Sequence, residues 1–494
     1  MIELIFISFL IILGIYYVYL ATQTAFLGED EATYLSLGKQ FSNLEYPIRN
    51  NINQPITAPL FVPLVYASFF MIFEASLAIT KIVSVIFGIL TLLVVYLLGK
   101  RINIYVGIFS VFVLLLMSIF TNFMLIAYVD VPIAFFSALS LYMISRIDSK
   151  KTAILAGLVI GVSYFVKESG LFISLTLLLY SFYIYIFQKN KDQFKLYFIT
   201  VIISLLVVSV ILIRNLALFN YPYIILLNIF FPTPSAPTWG LTEQVAKSIS
   251  QSLASISDFA NIFSWIPLIL AIFSLTYISL DRKNIEYKSI LFSSLLFVLF
   301  MLNFIFLYSI GNAIAEPRYF MIIFPQLALV SGFYLWKLKE HNKYLLILII
   351  PIILYSLYST VIVAVATSQS ERFPANYVEA LVWLKDKTPK DSLIFTTYGG
   401  SVKYFADRNI IWSSIEEFPN VMTTQNSTYI YDSLKKYNVS YILIWRGVLS
   451  QDYIVPGSNI AGVFTYNFLN TVAGDTKHFN TTYQNADDII FKLL

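Results

Sequence analysis

The chain has 494 residues, of which 58% are hydrophobic and 12% are charged, with a formal net charge of +4. A soluble domain carries about 25% charged residues, so this composition excludes a water-soluble globule and indicates a polytopic membrane protein. The sequence contains no cysteine, which excludes disulfides, thiolate metal sites and cysteine nucleophiles.

Apolar stretches long enough to cross a bilayer recur through the first 370 residues. A transmembrane helix needs about 20 consecutive apolar residues, and eleven stretches are predicted to span. They lie at approximately 3–21, 76–98, 104–124, 130–146, 152–167, 169–188, 196–217, 261–280, 289–309, 319–337 and 343–365. The first stretch lacks a basic leader and further spans follow it, so we expect a retained anchor and not a cleaved signal peptide.

The loops on one side of this pattern are short and basic. They contain Lys100 and Arg101, then Arg146, Lys150 and Lys151, and then the stretches QKNKDQFK, DRKNIEYK and KLKEHNK. Because cytoplasmic loops carry an excess of Lys and Arg, the N-terminus is expected in the cytoplasm. The loops 22–75 and 218–260 are then extracytoplasmic. The apolar stretch 58–73 is expected to be a helix at the interface, since a twelfth span there, the alternative, would break the alternation.

After about residue 370 the long apolar runs give way to alternating helix and strand patterns. The stretch ANYVEALVWLKDKTPKDSLIFTTYGGSVKYFADRNIIWSS is typical of helix, strand, short helix and strand, and YIYDSLKKYNVSYILIW of helix and strand. Such alternation predicts a small α/β domain over 371–494, which the odd number of spans places outside the cell. The Asn-x-Ser/Thr sequons at Asn426, Asn438 and Asn480 all fall in it, as expected for a domain exposed to glycosylation.

The most informative residues are ionisable groups on the outer side of the predicted spans, because charge in or against a membrane is costly unless it is paired or functional. These residues are Asp30, Glu31, Asp130, Lys167, Arg214 and Arg318. Taken singly, each has a structural explanation: a helix cap, neutralisation by a neighbour such as Glu168 or Glu316, or snorkelling. Together they place acids and bases from several spans at one depth on one face.

Acids beside bases at a membrane surface suit a reaction on an anionic, lipid-attached substrate. A partly desolvated carboxylate gains basicity and can take a proton from an acceptor hydroxyl. Lys and Arg can hold a phosphate and neutralise the charge that grows on it as it leaves.

The residues that carry these charges also resemble a known family. Asp30 and Glu31 followed by Tyr34 resemble the first-loop motif of the GT-C glycosyltransferases, in particular the branch of protein O-mannosyltransferases and aminoarabinose transferases. Further similarities follow in order: KIVSVIFGILTLLVVYLLGKR (81–101), YVDVPIAFFSALSLYMISR (128–146), VKESG (166–170), PRYFMIIFPQLAL (317–329) and, in the tail, WLKDKTP and YFADRNIIW. The proline that usually precedes the Asp-Glu pair is Glu29 here, and QPITAP (54–59) replaces a Lys-Pro-Pro motif.

The resemblance implies a GT-C-like transmembrane catalytic domain over 1–370 in the cell membrane. It implies transfer of a sugar from a polyprenyl-phosphate (dolichyl-phosphate) donor to a protein, lipid or glycan acceptor on the outer side. In that reaction Asp30 is the expected general base, Glu31 supports it, and Asp130 orients the acceptor or a cation. The expected lipid-phosphate ligands are Lys167, Arg318 and Tyr319, with Arg214 added by position alone, and Tyr34 and Lys39 belong to the substrate loop.

No cofactor is expected to be required. Mg²⁺ or Mn²⁺ on the oxygens of Asp30, Glu31 and Asp130 is the alternative, although Lys and Arg could do the same electrostatic work. The histidines His341 and His478 fit no catalytic or metal-ligand pattern. The absence of a GxxxxGK[ST] motif argues against direct use of ATP, and no nucleic-acid partner is expected.

Three other functions remain open at this point. A lipid or polysaccharide transporter would have repeated spans with charges near mid-membrane. A lipid-linked glycan ligase or polymerase would have a long outer loop dense in Arg or His, whereas the loop 218–260 has one Lys and no Arg. A receptor or scaffold would leave the charges of one face without a purpose.

Overall fold

The computed structural model describes residues 2–23, 28–45, 48–50, 54–55, 59–219, 265–280, 288–309, 317–341, 344, 346–369, 373–411, 418–449 and 464–494. The loop predicted at 218–260 lies almost entirely outside the described residues, as does Glu316. The membrane-protein fold class is confirmed: long apolar helices make up most of the described residues before 370, and a sheet with its own helices follows.

Helices account for most of the chain before residue 370. They are α1 Ile2–Gln23, α2 Glu29–Ser42, α3 Phe61–Phe70, α4 Leu77–Lys100, α5 Ile104–Leu116, α6 Ser118–Phe123, α7 Asp130–Ile144, α8 Lys150–Val166, α9 Leu171–Phe187, α10 Lys191–Phe219, α11 Trp265–Leu280, α12 Lys288–Ser309, α13 Phe324–His341 and α14 Leu346–Gln369. Short 3-10 turns, Glu168–Gly170 and Pro317–Ile323, precede α9 and α13, and strands β1 Ile48–Asn50 and β2 Gln54–Pro55 pair antiparallel.

A helix occupies each stretch predicted to span. Among the residues that the structure describes, six helical segments are long and apolar enough to cross a membrane: Ile2–Gln23, Leu77–Lys100, Glu168–Phe187, Lys191–Ala217, Arg318–His341 and Ile350–Thr367. Crossing by the shorter apolar helices stays a prediction. Helix α3 has 10 residues, about 15 Å at 1.5 Å per residue, which is half the thickness of the hydrocarbon core. That length agrees with the expected interfacial helix in 58–73.

The prediction of one continuous helix over 104–124 is wrong at one residue, Met117. The chain leaves helical geometry at Met117 (φ −77°, ψ 91°), so α5 ends at Leu116 and α6 starts at Ser118. Neither Gly nor Pro marks the break in the sequence, and the fully buried Met117 side chain packs in the helical core. Packing against neighbouring helices therefore decides the break, and the apolar pattern could not reveal it.

The two ends of the helical bundle differ in their charges. At the end that we call the basic end, Lys100 pairs with Glu3, Arg101 Nη1 donates to Ser145 Oγ at 3.0 Å, and Lys339 lies over a Tyr ring. These contacts join the start of α1 to the end of α4, the end of α4 to the end of α7, and the end of α13 to the start of α5. The residues Asp30, Asp130, Lys167 and Arg318 lie at the opposite ends of the same bundle, which we call the site end.

A second folded unit follows α14. It contains α15 Ala375–Lys387, β3 Leu393–Phe395, the turn Gly399–Ser401 with a π-turn Val402–Ala406, β4 Asn409–Ile411, α16 Phe418–Thr423, α17 Ser427–Lys436, β5 Tyr441–Trp445, a 3-10 turn Arg446–Val448, α18 Tyr466–Gly474, β6 Phe479–Gln484 and β7 Asp488–Leu493. The strand order is β4-β3-β5-β7-β6. Strands β4, β3 and β5 run parallel, while β7 is antiparallel to β5 and β6.

Alternate residues of this sheet face two different cores. Phe395 and Ile442 pack against α17 and α18, whereas Ile394 and Leu443 pack against α15. Burial on both faces explains why β3 and β5 are continuous apolar runs. The second core also contains Ala32 of α2, so the sheet domain packs directly on the helix that carries the first acidic motif.

Candidate active site

Three adjacent carboxylates form the first turn of α2. The helix starts at Glu29, after Gly28, and acids in a first turn interact favourably with the positive end of the helix dipole. Asp30 therefore lies inside the first turn and is not the N-cap. Because successive helical residues point about 100° apart, the side chains of Glu29, Asp30 and Glu31 face three different parts of the molecule.

Asp30 faces Arg318, which comes from the 3-10 turn before α13. Arg318 Nη1 donates to Asp30 Oδ2 at 2.6 Å. The side chain of Asp30 is 43% exposed and that of Arg318 is 14% exposed. The pair thus joins residues 288 positions apart in the chain and leaves the carboxylate open to solvent.

Asp130 and Lys167 form a second ion pair. Asp130 is the first residue of α7 and its side chain is 2% exposed, while Lys167, at the end of α8, is 18% exposed. Lys167 adopts an extended conformation (φ −161°, ψ 141°), which separates α8 from α9 as predicted for an interruption between two spans. Lys167 therefore forms its ion pair with Asp130. The structural explanation from the sequence, neutralisation by the neighbour Glu168, predicts a different partner.

Aromatic rings connect the two ion pairs. Lys167 Nζ lies 4.7 Å from the centre of the Tyr319 ring, and Arg318 Cζ lies 5.5 Å from the same ring. Arg318 also lies 4.8 Å from the centre of the Tyr128 ring. Such cation–π contacts hold the cations without neutralising them.

The two acids, the two cations and the shared tyrosine form one cluster at the site end, which we call the acid–base cluster. Its members are Asp30, Asp130, Lys167, Arg318 and Tyr319. They come from α2, α7, the residue after α8 and the turn before α13, so the structure brings these five predicted residues together. Each of the two cations thus contacts a ring face and a carboxylate, and both lie in the same cluster as the exposed Asp30 carboxylate.

Glu31 points into the protein. Its Oε1 atom lies 3.7 Å from Lys81 Nζ of α4, both side chains are fully buried, and it accepts a hydrogen bond from the Ala127 N–H at 2.6 Å. Ala127 lies three residues before Asp130, so Glu31 fastens the segment that leads to the second acid. Sequence reasoning missed Lys81, although a lone Lys inside an apolar span is itself a signal of a buried partner.

The remaining predicted site residues lie on α2 and α10. Tyr34 is one helical turn after Asp30 and half-buried against the bundle core, and Lys39 is exposed farther along α2. Arg214 lies near the end of α10 and donates to Asn215 Oδ1 at 2.9 Å. Roles for these residues in substrate binding stay predictions.

The structure also bears on whether Asp30, Glu31 and Asp130 could hold one metal ion together. In the described ranges, no group of three His, Asp or Glu side chains lies close enough to hold a metal ion. Glu31, one of the three candidate ligands, faces Lys81 on the buried side of α2. The other two candidates, Asp30 and Asp130, each face a cation.

The far end of α2 borders an open groove of about 450 Å³. Its lining residues are Phe41, Leu44, Glu45, Leu64, Ala67, Ser68 and Met71, from α2 and α3. Phe41 is eleven residues from Asp30, about 16 Å along a helix. The groove is apolar and lies beside the short helix α3, away from the acid–base cluster.

The three sequon asparagines are exposed. Asn426 caps α17 through its side chain, Asn438 has a positive φ of 60°, and Asn480 lies on β6. All three side chains can be reached from solvent, and their modification stays a prediction.

Comparisons with known proteins extend this description. A family model described as dolichyl-phosphate-mannose-protein mannosyltransferase matches residues 57–213. The structure of ArnT from Cupriavidus metallidurans bound to undecaprenyl phosphate is similar with a TM-score of 0.66 at 12% identity, over 98% of this chain and 97% of that chain. A search of the curated proteins finds no match.

Two other solved structures share the fold. The Archaeoglobus fulgidus oligosaccharyltransferase AglB, in complex with an inhibitory peptide and a dolichol-phosphate, has a TM-score of 0.63 at 13% identity, over 89% of this chain and 70% of that chain. The arabinofuranosyltransferase AftD from Mycobacteria has a TM-score of 0.56 at 11% identity, over 98% of this chain and 40% of that chain.

Proposed function

We propose that this chain, whose fold is that of the GT-C membrane glycosyltransferases, transfers a sugar from a polyprenyl-phosphate donor to an acceptor hydroxyl at the site end. The observation that carries the proposal is the acid–base cluster, in which an exposed carboxylate lies beside two cations on a shared ring. The match over nearly the whole length of a protein bound to undecaprenyl phosphate supports the donor class.

The chemistry follows from the charges. The acceptor oxygen attacks C1 of the sugar while the bond between C1 and the phosphate oxygen breaks. Asp30 takes the acceptor proton as general base. The leaving polyprenyl phosphate gains one negative charge, and Arg318 and Lys167 neutralise it as it forms. Every atom is accounted for by the donor, the acceptor and the carboxylate, so the step needs no further reactant.

The resting ion pairs suit this sequence of events. A donor phosphate that approaches Arg318 competes with Asp30 for the guanidinium, whose five donors can serve both groups. As the phosphate takes its share, Asp30 is released toward the acceptor. Lys167 keeps a buried counter-charge in Asp130, which fixes the position of its ammonium group before the donor arrives.

The acceptor class has a leading candidate. The matching family model describes protein mannosyltransferases, and AglB is seen with a peptide. We therefore propose a protein hydroxyl as the first acceptor to test. We also propose that the site end, with the sheet domain, lies on the extracytoplasmic side and the basic end in the cytoplasm, as the positive-inside rule requires.

The test is the substitution Asp30→Asn in the full-length chain. Membranes are incubated with dolichyl- and undecaprenyl-phosphate-linked hexoses and pentoses and a Ser/Thr-containing peptide, and released polyprenyl phosphate and glycosylated peptide are measured. A loss of at least about 100-fold is expected, since general-base catalysis contributes roughly 10²–10⁴. The matched control is Asp192→Asn, because Asp192 is 95% exposed in the first turn of α10, at the basic end.

Two results would contradict the proposal. One is an Asp30→Asn protein with wild-type turnover. The other is a wild-type protein that moves donors across vesicle membranes without cleaving any of them, which would favour the transporter.

A further inference from the structure

The carboxylate that precedes the proposed base is bound by the sheet domain. Glu29 Oε1 accepts a hydrogen bond from the Gly400 N–H, and Glu29 Oε2 accepts one from the Ser401 N–H at 3.1 Å. Donor and acceptor are about 370 positions apart in the chain. The first turn of α2 is therefore fastened to the Gly399–Ser401 turn immediately beside Asp30.

Gly400 allows this close approach. A Cβ atom at position 400 would collide with Thr33 Oγ1 and would lie 2.8 Å from the Glu29 carbonyl oxygen. Neither approach is tolerated between real atoms, so any side chain at this position would push α2 and the turn apart. The sequence thus supplies both halves of the contact, an acid on the helix and a glycine on the turn.

The turn is rigid enough to act as a support. Ser401 is fully buried, and its Oγ lies 2.9 Å from Tyr377 Oη. The Tyr377 ring stacks on Phe373 at 5.2 Å and on Trp445 at 5.1 Å. Ala32, on the next turn of α2, packs in the core that contains this aromatic group.

We propose that Glu29 is a positioning residue: its carboxyl group clasps α2 to the Gly399–Ser401 turn and so fixes the helical turn that presents Asp30 to Arg318. The functional half of this inference rests on the proposed function of Asp30. The clasp itself does not, because it is a contact between two parts of the chain.

The charges around the clasp make it sensitive to pH. Burial raises the pKa of Glu29 to about 8, and the neighbouring Asp30 adds to the rise, whereas the two N–H donors oppose it. Tyr377 of α15 also faces this carboxyl group. Lys403 of the π-turn faces Asp407, Glu45 and Lys39.

The direction of the pH effect follows from linkage. We call the state in which the Gly399–Ser401 turn contacts the first turn of α2 the docked state. A carboxyl group whose pKa is higher in the docked state favours docking most strongly below its ordinary pKa of 4.5. That contribution is lost as the pH rises from there toward 8. Docking is therefore expected to be firmer at pH 6 than at pH 8 and weakest above pH 8, and Glu29→Gln, which stays neutral, should lack this change.

A thiol at position 401 reports the clasp directly. The chain has no cysteine, so Ser401→Cys introduces a single thiol, which is buried while the turn is docked. Maleimide labelling at pH 6.5 and pH 9 is compared with labelling of an exposed single thiol, Asp432→Cys, to correct for thiol ionisation. Relative labelling should rise at least about fivefold at pH 9, stay low at both pH values with Glu29→Gln, and be high at both with Glu29→Ala.

Kinetics then test whether the clasp positions Asp30. Glu29→Ala should lower kcat by about 10- to 100-fold with little change in the donor KM, because small misplacements of a catalytic group cost rates of that order. Gly400→Ala should do the same, and the double variant should be no worse than either single one. Glu379→Gln, an exposed acid of α15, and Gly474→Ala, where a Cβ meets open space, are the controls.

The outcomes separate the two proposals. Equal labelling of the 401 thiol at pH 6.5 with Glu29 in place and in the Glu29→Ala variant would overturn the clasp, whatever the activity. A pH-dependent clasp with unchanged kcat in Glu29→Ala would overturn the positioning role. If the clasp behaves as expected but Asp30→Asn keeps full turnover, the proposed function fails and the clasp stands.

Discussion

The two ends of the helical bundle use the same residue types to different effect. At the basic end, Glu3 and Lys100 pair with 40% of each side chain exposed. At the site end, Asp130 and Lys167 pair with 2% and 18% exposed, and Glu31 and Lys81 with none. Water screens the first pair and hardly reaches the others.

This difference in burial distinguishes the exposed ion pair of the basic end from the buried ion pairs of the site end. An exposed ion pair contributes little to stability, and in the orientation that we propose its Lys holds one end of a helix in the cytoplasm. A buried pair requires its charges to be desolvated, and that cost is tolerated where the charge has a task. Burial therefore singles out the Asp130–Lys167 and Glu31–Lys81 pairs, whereas Asp30, whose side chain is 43% exposed, belongs to the candidate site through its pairing with Arg318, which is 14% exposed.

The comparison predicts opposite accessibility of the two ends. Single cysteines at Asp148→Cys and Asp432→Cys replace exposed aspartates at the basic end and in the sheet domain. A membrane-impermeant maleimide added to intact cells should label position 432 fully and position 148 only after the membrane is permeabilised. Labelling in the reverse order would invert the orientation and place the cluster in the cytoplasm.

Removal of one member of the fully buried pair should have the largest effect on stability. Lys81→Met takes away the cation that Glu31 faces, and breaking a buried pair from one side costs about 3–5 kcal/mol. Thermal unfolding in detergent should show this loss. The double variant Glu31→Gln, Lys81→Met should recover most of it, because neither buried charge remains. Equal stability of the single variant and the wild type would show that the pair carries no structural role.

Much of this fold can be predicted from the lengths of the apolar stretches and from the charges of the loops between them. The interruption at Lys167 was predictable because two charged residues separate two apolar runs, and the helix and strand alternation of 375–445 was predictable from its spacing. The break at Met117 was not, since nothing local distinguishes that residue. It depends on packing among helices far apart in the chain.

The candidate site was predictable in its members and not in its pairing. Charges on one face of the spans indicated Asp30, Asp130, Lys167 and Arg318, but only the fold shows that Asp30 faces Arg318 and Asp130 faces Lys167. The different contacts of Glu29, Asp30 and Glu31 could not be predicted from the sequence either. It arises from the rotation of about 100° per residue of α2 between three different neighbours.

The last prediction compares one lysine from each end. Lys167→Met should lower kcat/KM by about 10²–10³, the loss that follows removal of one preorganised donor from a developing charge. Lys100→Met removes an exposed lysine of the basic end and should leave turnover and thermal stability unchanged.

Lys167→Met also leaves Asp130 buried opposite an apolar side chain, so folding is checked by gel filtration and by the double variant Asp130→Asn, Lys167→Met. This double variant should fold like the wild type and remain inactive, because the phosphate would still lack its second cation. Recovery of activity in the double variant would mean that Lys167 serves only to neutralise Asp130.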